Sequence, residues 1–96
     1  TDPVVIKSII RYTERDLVFY EEMLNIFLGL IIPKTYNDNI YESLKILLDL
    51  NKLYNFLDLK QQAKYIILEA KNENKENYYK RFFELLGSYI NLNELL

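Results

Sequence analysis

Three groups of side chains in this 96-residue sequence have chemistry to offer: carboxylates, hydroxyl nucleophiles and a basic-aromatic run. Among the carboxylates, Glu21 and Glu22 are sequence neighbours and point apart on a helix. Asp16 and Glu21 are poorly phased. Glu69, Glu73 and Glu76 stand at spacings of four and three, and face one another only if one helix runs through all of them. A hard cation needs such oxygens held by a constraining loop, and no loop of the Asp-x-Asp-x-Asp-Gly kind occurs. The plainer reading is a solvated charged face. Ser8, Ser43 and Ser88 have no histidine to activate them and no strand-turn-helix elbow around them. Two isolated glycines cannot build a phosphate-binding loop. With neither Cys nor His in the chain, disulfide frameworks, zinc fingers, thiol chemistry and imidazole proton transfer are excluded. The expectation is a non-catalytic chain with no cofactor and no metal.

The basic-aromatic run spans residues 71–81: Lys71, Lys75, Tyr78, Tyr79, Lys80 and Arg81. Aromatic faces between cations can stack bases and meet phosphates. Glu69, Glu73, Glu76 and Glu84 are mixed through the same stretch and repel phosphate. The whole chain carries 12 basic and 14 acidic side chains, a net charge of -2, whereas binding by counterion release needs several uncompensated cations. A nucleic-acid accessory role for this segment is therefore the second reading.

The tyrosines are the more informative excess: nine of them, with no Trp. Tyrosine joins a large apolar body to a polar tip and is enriched at interfaces. Tyr36 follows Pro33 in a loop, Tyr54 lies near a turn, and Tyr65 and Tyr78 fall off the apolar stripes of their helices. Together with Leu92, Leu95 and Leu96 near the C-terminus, these are the candidate partner contacts. They give the first reading, a protein-interaction or assembly module that docks a protein partner or a second copy. A third reading makes the chain a non-catalytic helical segment of a larger enzyme.

The elements that carry these residues read as all-α. Half of the residues are apolar and 27% are charged, a globular balance, and two glycines and two prolines are too few to turn many strands. Asp2-Pro3 is a helix start, with Asp accepting from an early amide and Pro lacking the amide that would go unpaired. A first helix over residues 3–12 carries Val5, Ile6, Ile9 and Ile10 on one stripe. Thr13 to Asp16 resembles a capping box, which starts a second helix over 14–31. A continuous helix bent at Thr13 is the alternative. The second helix carries Leu17, Tyr20, Leu24, Phe27, Leu28 and Ile31, and Val18, Met23, Ile26 and Leu30 widen its arc. So broad an arc marks a helix packed on more than one side. Pro33 ends it.

Asn37 or Asp38 caps a third helix running to about Asn51, and Asp58 caps a fourth with Leu59, Ala63, Ile66, Ile67 and Ala70 on its inner face. A polar loop over 71–75 precedes a fifth helix over 75–86, which buries Tyr79, Phe82, Phe83 and Leu86 and has Gly87 as C-cap. Residues 91–96 add a possible sixth, short helical turn. The result is a compact bundle, or a short stack of helical hairpins, of five or six helices. Residues 39–48 also lie on 77–86 at a step of 38, the length of a helical-hairpin repeat, although any two amphipathic helices match in this way. Residues 1–96 read as a single helical domain. The start at Thr1-Asp2-Pro3 without Met suggests a piece of a larger protein, and the absence of Cys suits an intracellular, reducing compartment. No apolar run reaches the length of a membrane span.

Overall fold

The computed structural model describes residues 2–95, apart from the side chains of Ile9, Ile10 and Tyr12. Leu96, one of the expected contacts, and the Ile9 and Ile10 part of the first stripe lie outside the described residues. The described chain is all-α, with four α-helices and no strand. These are α1 (Pro3–Ile26), α2 (Asp38–Tyr54), α3 (Leu59–Asn72) and α4 (Lys80–Leu86). A π-helical turn, Phe27–Ile31, extends α1, and a 3-10 turn, Leu92–Leu95, follows α4.

The expected count of five or six helices is corrected to four because the first two are one. α1 passes through Thr13 without a break. The capping pattern at 13–16 has no Gly or Pro beside it to turn the chain out of the helix, and capping side chains do not interrupt a helix by themselves. Of the four other expected starts, the three with capping side chains are present. Asp2 Oδ1 accepts from the Val4 amide at 2.9 Å. Asn37 Oδ1 accepts from Ile40 at 3.0 Å, and Asp58 Oδ1 accepts from Gln61 at 3.3 Å.

The helix ends are less regular than their starts. Ahead of Pro33, the Ile32 amide donates to the Phe27 carbonyl at 2.9 Å, five residues back. This widened turn brings Leu28 and Ile32 into line with Leu24, and all three are fully or almost fully buried. α2 and α3 both end on asparagine in the left-handed region, Asn55 at φ 50° and Asn74 at φ 56°. Around Asn74, the Lys75 amide returns to the Ala70 carbonyl at 2.8 Å and the Asn74 amide to Lys71 at 3.3 Å, the paired bonds of a Schellman ending. Residues 76–79 are turns, and α4 starts at Lys80 rather than at Lys75. Asn77 to Tyr79 of the apparent repeat fall in those turns, whereas their counterparts 39–41 are helical.

The core forms where the C-terminal third of α1, the inner faces of α2 and α3, and α4 meet. Leu24, Phe27, Leu28 and Ile32 pack with Leu44, Leu47, Leu48, Leu59, Ala63, Ile66, Ala70, Tyr79, Phe82 and Leu86. Ala63 and Ala70, each 1% exposed, are the small residues on the buried face of α3. Tyr89, Ile90, Leu92 and Leu95 fold back against the core and are partly covered. Asn51, the buried polar residue, ties the α2–α3 turn: its Oδ1 accepts from the Leu57 amide at 2.8 Å and its Nδ2 donates to the Leu57 carbonyl at 3.2 Å.

The molecule is long for its size. Its radius of gyration is 15.8 Å and its extents are 56 × 28 × 19 Å, against about 12 Å for a compact chain of this length. The excess length is the N-terminal half of α1. Every side chain described over residues 2–15 is exposed.

Candidate interaction face

Val, Ile, Phe and Leu recur along α1 on two stripes, and the fold covers only one. The inner stripe holds Tyr20, Leu24, Phe27 and Ile31, and its C-terminal half packs into the core. The outer stripe runs through positions 5, 9, 12, 16, 19, 23 and 26 in alternating steps of four and three, the spacing that keeps one helix face turned to a neighbouring helix. Leu30 follows one turn later. Val5 is 50% exposed, Phe19 56%, Ile26 41% and Leu30 62%, whereas Met23 is half-buried against the core and Asp16 interrupts the apolar run. Val4 and Val18 widen the exposed surface. The expectation that the helix over 14–31 packs on more than one side is met in part: Leu24, Phe27 and Leu28, with Tyr20, Met23 and Ile31, join the core, while Val18, Phe19, Ile26 and Leu30 stay exposed.

Local preference does not explain this apolar arm. Val4, Val5, Ile6, Ile9 and Ile10 are β-branched, and such residues lose side-chain freedom in a helix and are indifferent helix formers. A helix this short is marginal in water without tertiary packing. The arm is held by continuity with the packed part of α1, and its apolar surface gains nothing from the rest of the described chain.

The expected contact residues divide. Tyr36 is half-buried: its ring meets Phe82 edge-on at 6.1 Å, the Arg81 guanidinium lies 5.9 Å from its centre, and its hydroxyl is buried without a hydrogen-bond partner. Burial raises the Tyr36 pKa, with Arg81 opposing. Tyr78 donates its hydroxyl to the Ile32 carbonyl, which leaves it strapped across the end of α1. Leu92 and Leu95 pack partly against the core. Tyr54, Tyr65 and, despite its bond to Ile32, Tyr78 remain exposed, the first two beside the exposed Leu53 and Leu68, and the Tyr65 hydroxyl donates to Glu69 at 3.4 Å. Val5, Phe19, Ile26 and Leu30 were not among the sequence candidates. The signal that points to them was the width of the apolar arc.

The basic-aromatic segment is largely engaged within the chain. Lys75 pairs with Glu73 at 3.2 Å and Arg81 with Asp38 at 3.3 Å, both exposed and therefore weak. Tyr79 is buried against Phe82 and Phe83. Glu69, Glu73 and Glu76 do not share a helix, since α3 stops at Asn72. Among the described residues no three His, Cys, Asp or Glu gather as a metal cluster, and no helix is long and apolar enough to cross a membrane.

A groove of about 590 Å³ lies over the α2–α3 turn between Asn51, Lys52, Phe56, Asp58 and Tyr89. Its one buried polar side chain, Asn51, already holds the Leu57 backbone. At its edge, the Tyr89 hydroxyl donates to Asp49 Oδ1 at 2.6 Å. Burial, followed by that hydrogen bond and the Asp49 charge, pushes the Tyr89 pKa up to about 12. The fold therefore favours the protonated phenol. This contribution to stability is complete below pH about 10, the ordinary tyrosine value, and is lost as pH rises through about 12. Urea midpoints measured across that window should fall with pH, and Tyr89→Phe should make the fall shallower. A slope unchanged by Tyr89→Phe would place the effect on other groups.

Comparison with known proteins finds no family model, no curated protein and no solved structure that matches this chain.

Proposed function

We propose that this chain is a non-catalytic protein-interaction module that associates through the outer apolar face of α1. The observation that carries this reading is the open stripe of Val5, Phe19, Ile26 and Leu30 on a helix whose first half stands clear of the body. Burial of such side chains is the main driving force for helix-on-helix recognition. Exposed apolar patches of this kind mark association sites more often than they mark plain surface. Tyr54 with Leu53, and Tyr65 with Leu68, are smaller exposed pairs on α2 and α3 and serve as secondary contacts.

Site-specific photocrosslinking tests the reading. A benzophenone side chain at position 19, irradiated in the cells the protein comes from, should give a discrete adduct. The same group at the exposed position 42 of α2 should not. Equal or absent labelling at the two positions would remove α1's outer face as the interaction surface.

A further inference from the structure

On the reading that the outer face of α1 is an interaction surface, we propose that its occupant is a second copy of the same chain, with the two α1 helices running antiparallel. From Val5 to Leu30 the face is about 38 Å long at the helical rise per residue, so the partner must present a helix of similar length. Among the described helices, α1 itself has that length.

The charges select the direction. Arg15 and Glu22, both exposed, stand seven residues apart and so flank the outer stripe on the same side. In an antiparallel pair with the two-fold axis between Leu17 and Val18, Arg15 of one copy comes within about one helical turn of Glu22 on the other. The symmetry makes this contact twice, as a self-complementary interface requires. The same register sets Ile26 level with position 9, Leu30 level with Val5 and Phe19 level with Asp16, so apolar residues meet toward the two ends of the face and a carboxylate lies at its middle. In a parallel, in-register pair Arg15 and Glu22 lie toward Tyr20 and Phe27 of the other copy and meet no opposite charge.

The whole helix shows the same polarity. Residues 3–13 carry Lys7 and Arg11 and no acid, whereas residues 14–26 carry Glu14, Asp16, Glu21 and Glu22 against Arg15 alone. The helix dipole favours the reverse order, so electrostatics within the helix does not account for it. Antiparallel pairing sets the basic half level with the acidic half, a long-range attraction only, since Lys7, Glu14 and Glu21 stand on the side of α1 away from the stripe. It also lays each projecting arm along the anchored half of its partner.

Sedimentation equilibrium of the full chain, from low to high micromolar concentration, reads the association directly. Arg15→Glu alone should weaken dimerisation by about tenfold or more, because each reversal spoils two symmetric contacts. Glu22→Arg alone should do the same. The double variant, R15E with E22R, should return to within about threefold of the original. Both side chains are exposed, and circular dichroism checks that helicity is unchanged. A chain that stays monomeric at every concentration overturns the proposal, as does a dimer that the double variant fails to restore. If the chain is monomeric and position 19 crosslinks to a different polypeptide, self-pairing is wrong and the interaction reading stands. If there is neither a dimer nor an adduct, both are wrong.

Discussion

Replacing Phe82 by alanine is expected to lower the stability of the fold by about 3–5 kcal/mol, the range for deleting a fully buried aromatic side chain. Phe82 is 0% exposed and meets Tyr36, Tyr79 and Phe83 at centroid distances of 6.1, 6.2 and 5.7 Å. The lost ring removes apolar burial and three aromatic contacts together, and each such contact adds about 0.5–1.5 kcal/mol beyond the buried area. A domain of this size has about 5–15 kcal/mol in all, so the variant should be close to the limit of folding. Its melting temperature should fall by about 15–30 °C. Urea denaturation with an unchanged slope would confirm the magnitude. A loss below about 1 kcal/mol, well under the usual cost of such a cavity, would mean that the core closes around the gap and that Phe82 is not its centre.

The second large effect belongs to Asn51. Its amide satisfies both the N–H and the C=O of Leu57 inside the α2–α3 turn, at 2.8 and 3.2 Å, and the residue is 6% exposed. Asn51→Ala leaves two buried backbone groups without partners, each costing about 1–3 kcal/mol, so a loss of about 2–4 kcal/mol is expected. The neighbouring groove admits water on one side and keeps the figure from reaching the sum of both penalties. Hydrogen exchange should localise the change, with the Leu57 amide losing protection before those of the α2 interior. Unchanged protection at Leu57 would show that the turn is held by Asn55 in its left-handed conformation rather than by the clamp.

Much of the architecture can be read from local chemistry. The starts of α1, α2 and α3 follow from Asp2, Asn37 and Asp58, whose short side chains each cap a nearby amide. The buried face of α3 follows from the spacing of Leu59, Ala63, Ile66, Ile67 and Ala70. The ends are harder to read. Asn55 and Asn74 take the left-handed endings usually given to glycine, and asparagine is common in this sequence, so neither stands out. Gly87 does follow α4 as its C-cap, but at φ -63° it is right-handed and draws on none of glycine's special freedom. The π-turn before Pro33 depends on how the core receives Leu28 and Ile32, and no local pattern specifies that. Thr13 to Asp16 has the residues of a helix start with nothing to stop the preceding helix.

The exposed face of α1 was legible in a different sense. Periodicity shows that α1 has apolar residues for two neighbours, but it does not tell which stripe the chain itself will cover. That depends on where α2, α3 and α4 come to rest, which is settled by the turns at Asn55 and Asn74. Tyr36 looked like an outward anchor because it sits in the loop after Pro33, and Tyr78 because it falls off its helical stripe. Tyr36 packs against Phe82 instead, whereas Tyr78 stays 39% exposed while its hydroxyl donates to the Ile32 carbonyl.

Light scattering of the chain over a range of concentrations, beside Phe19→Glu, tests the central claim most directly. Phe19 is exposed, so the variant should keep the fold while placing a charge in the middle of the outer stripe. The account predicts that the mass of the original chain rises from 11.6 kDa toward twice that value in the micromolar range, while Phe19→Glu stays at the monomer mass. A mass of one chain for both proteins at every concentration would contradict self-pairing through α1.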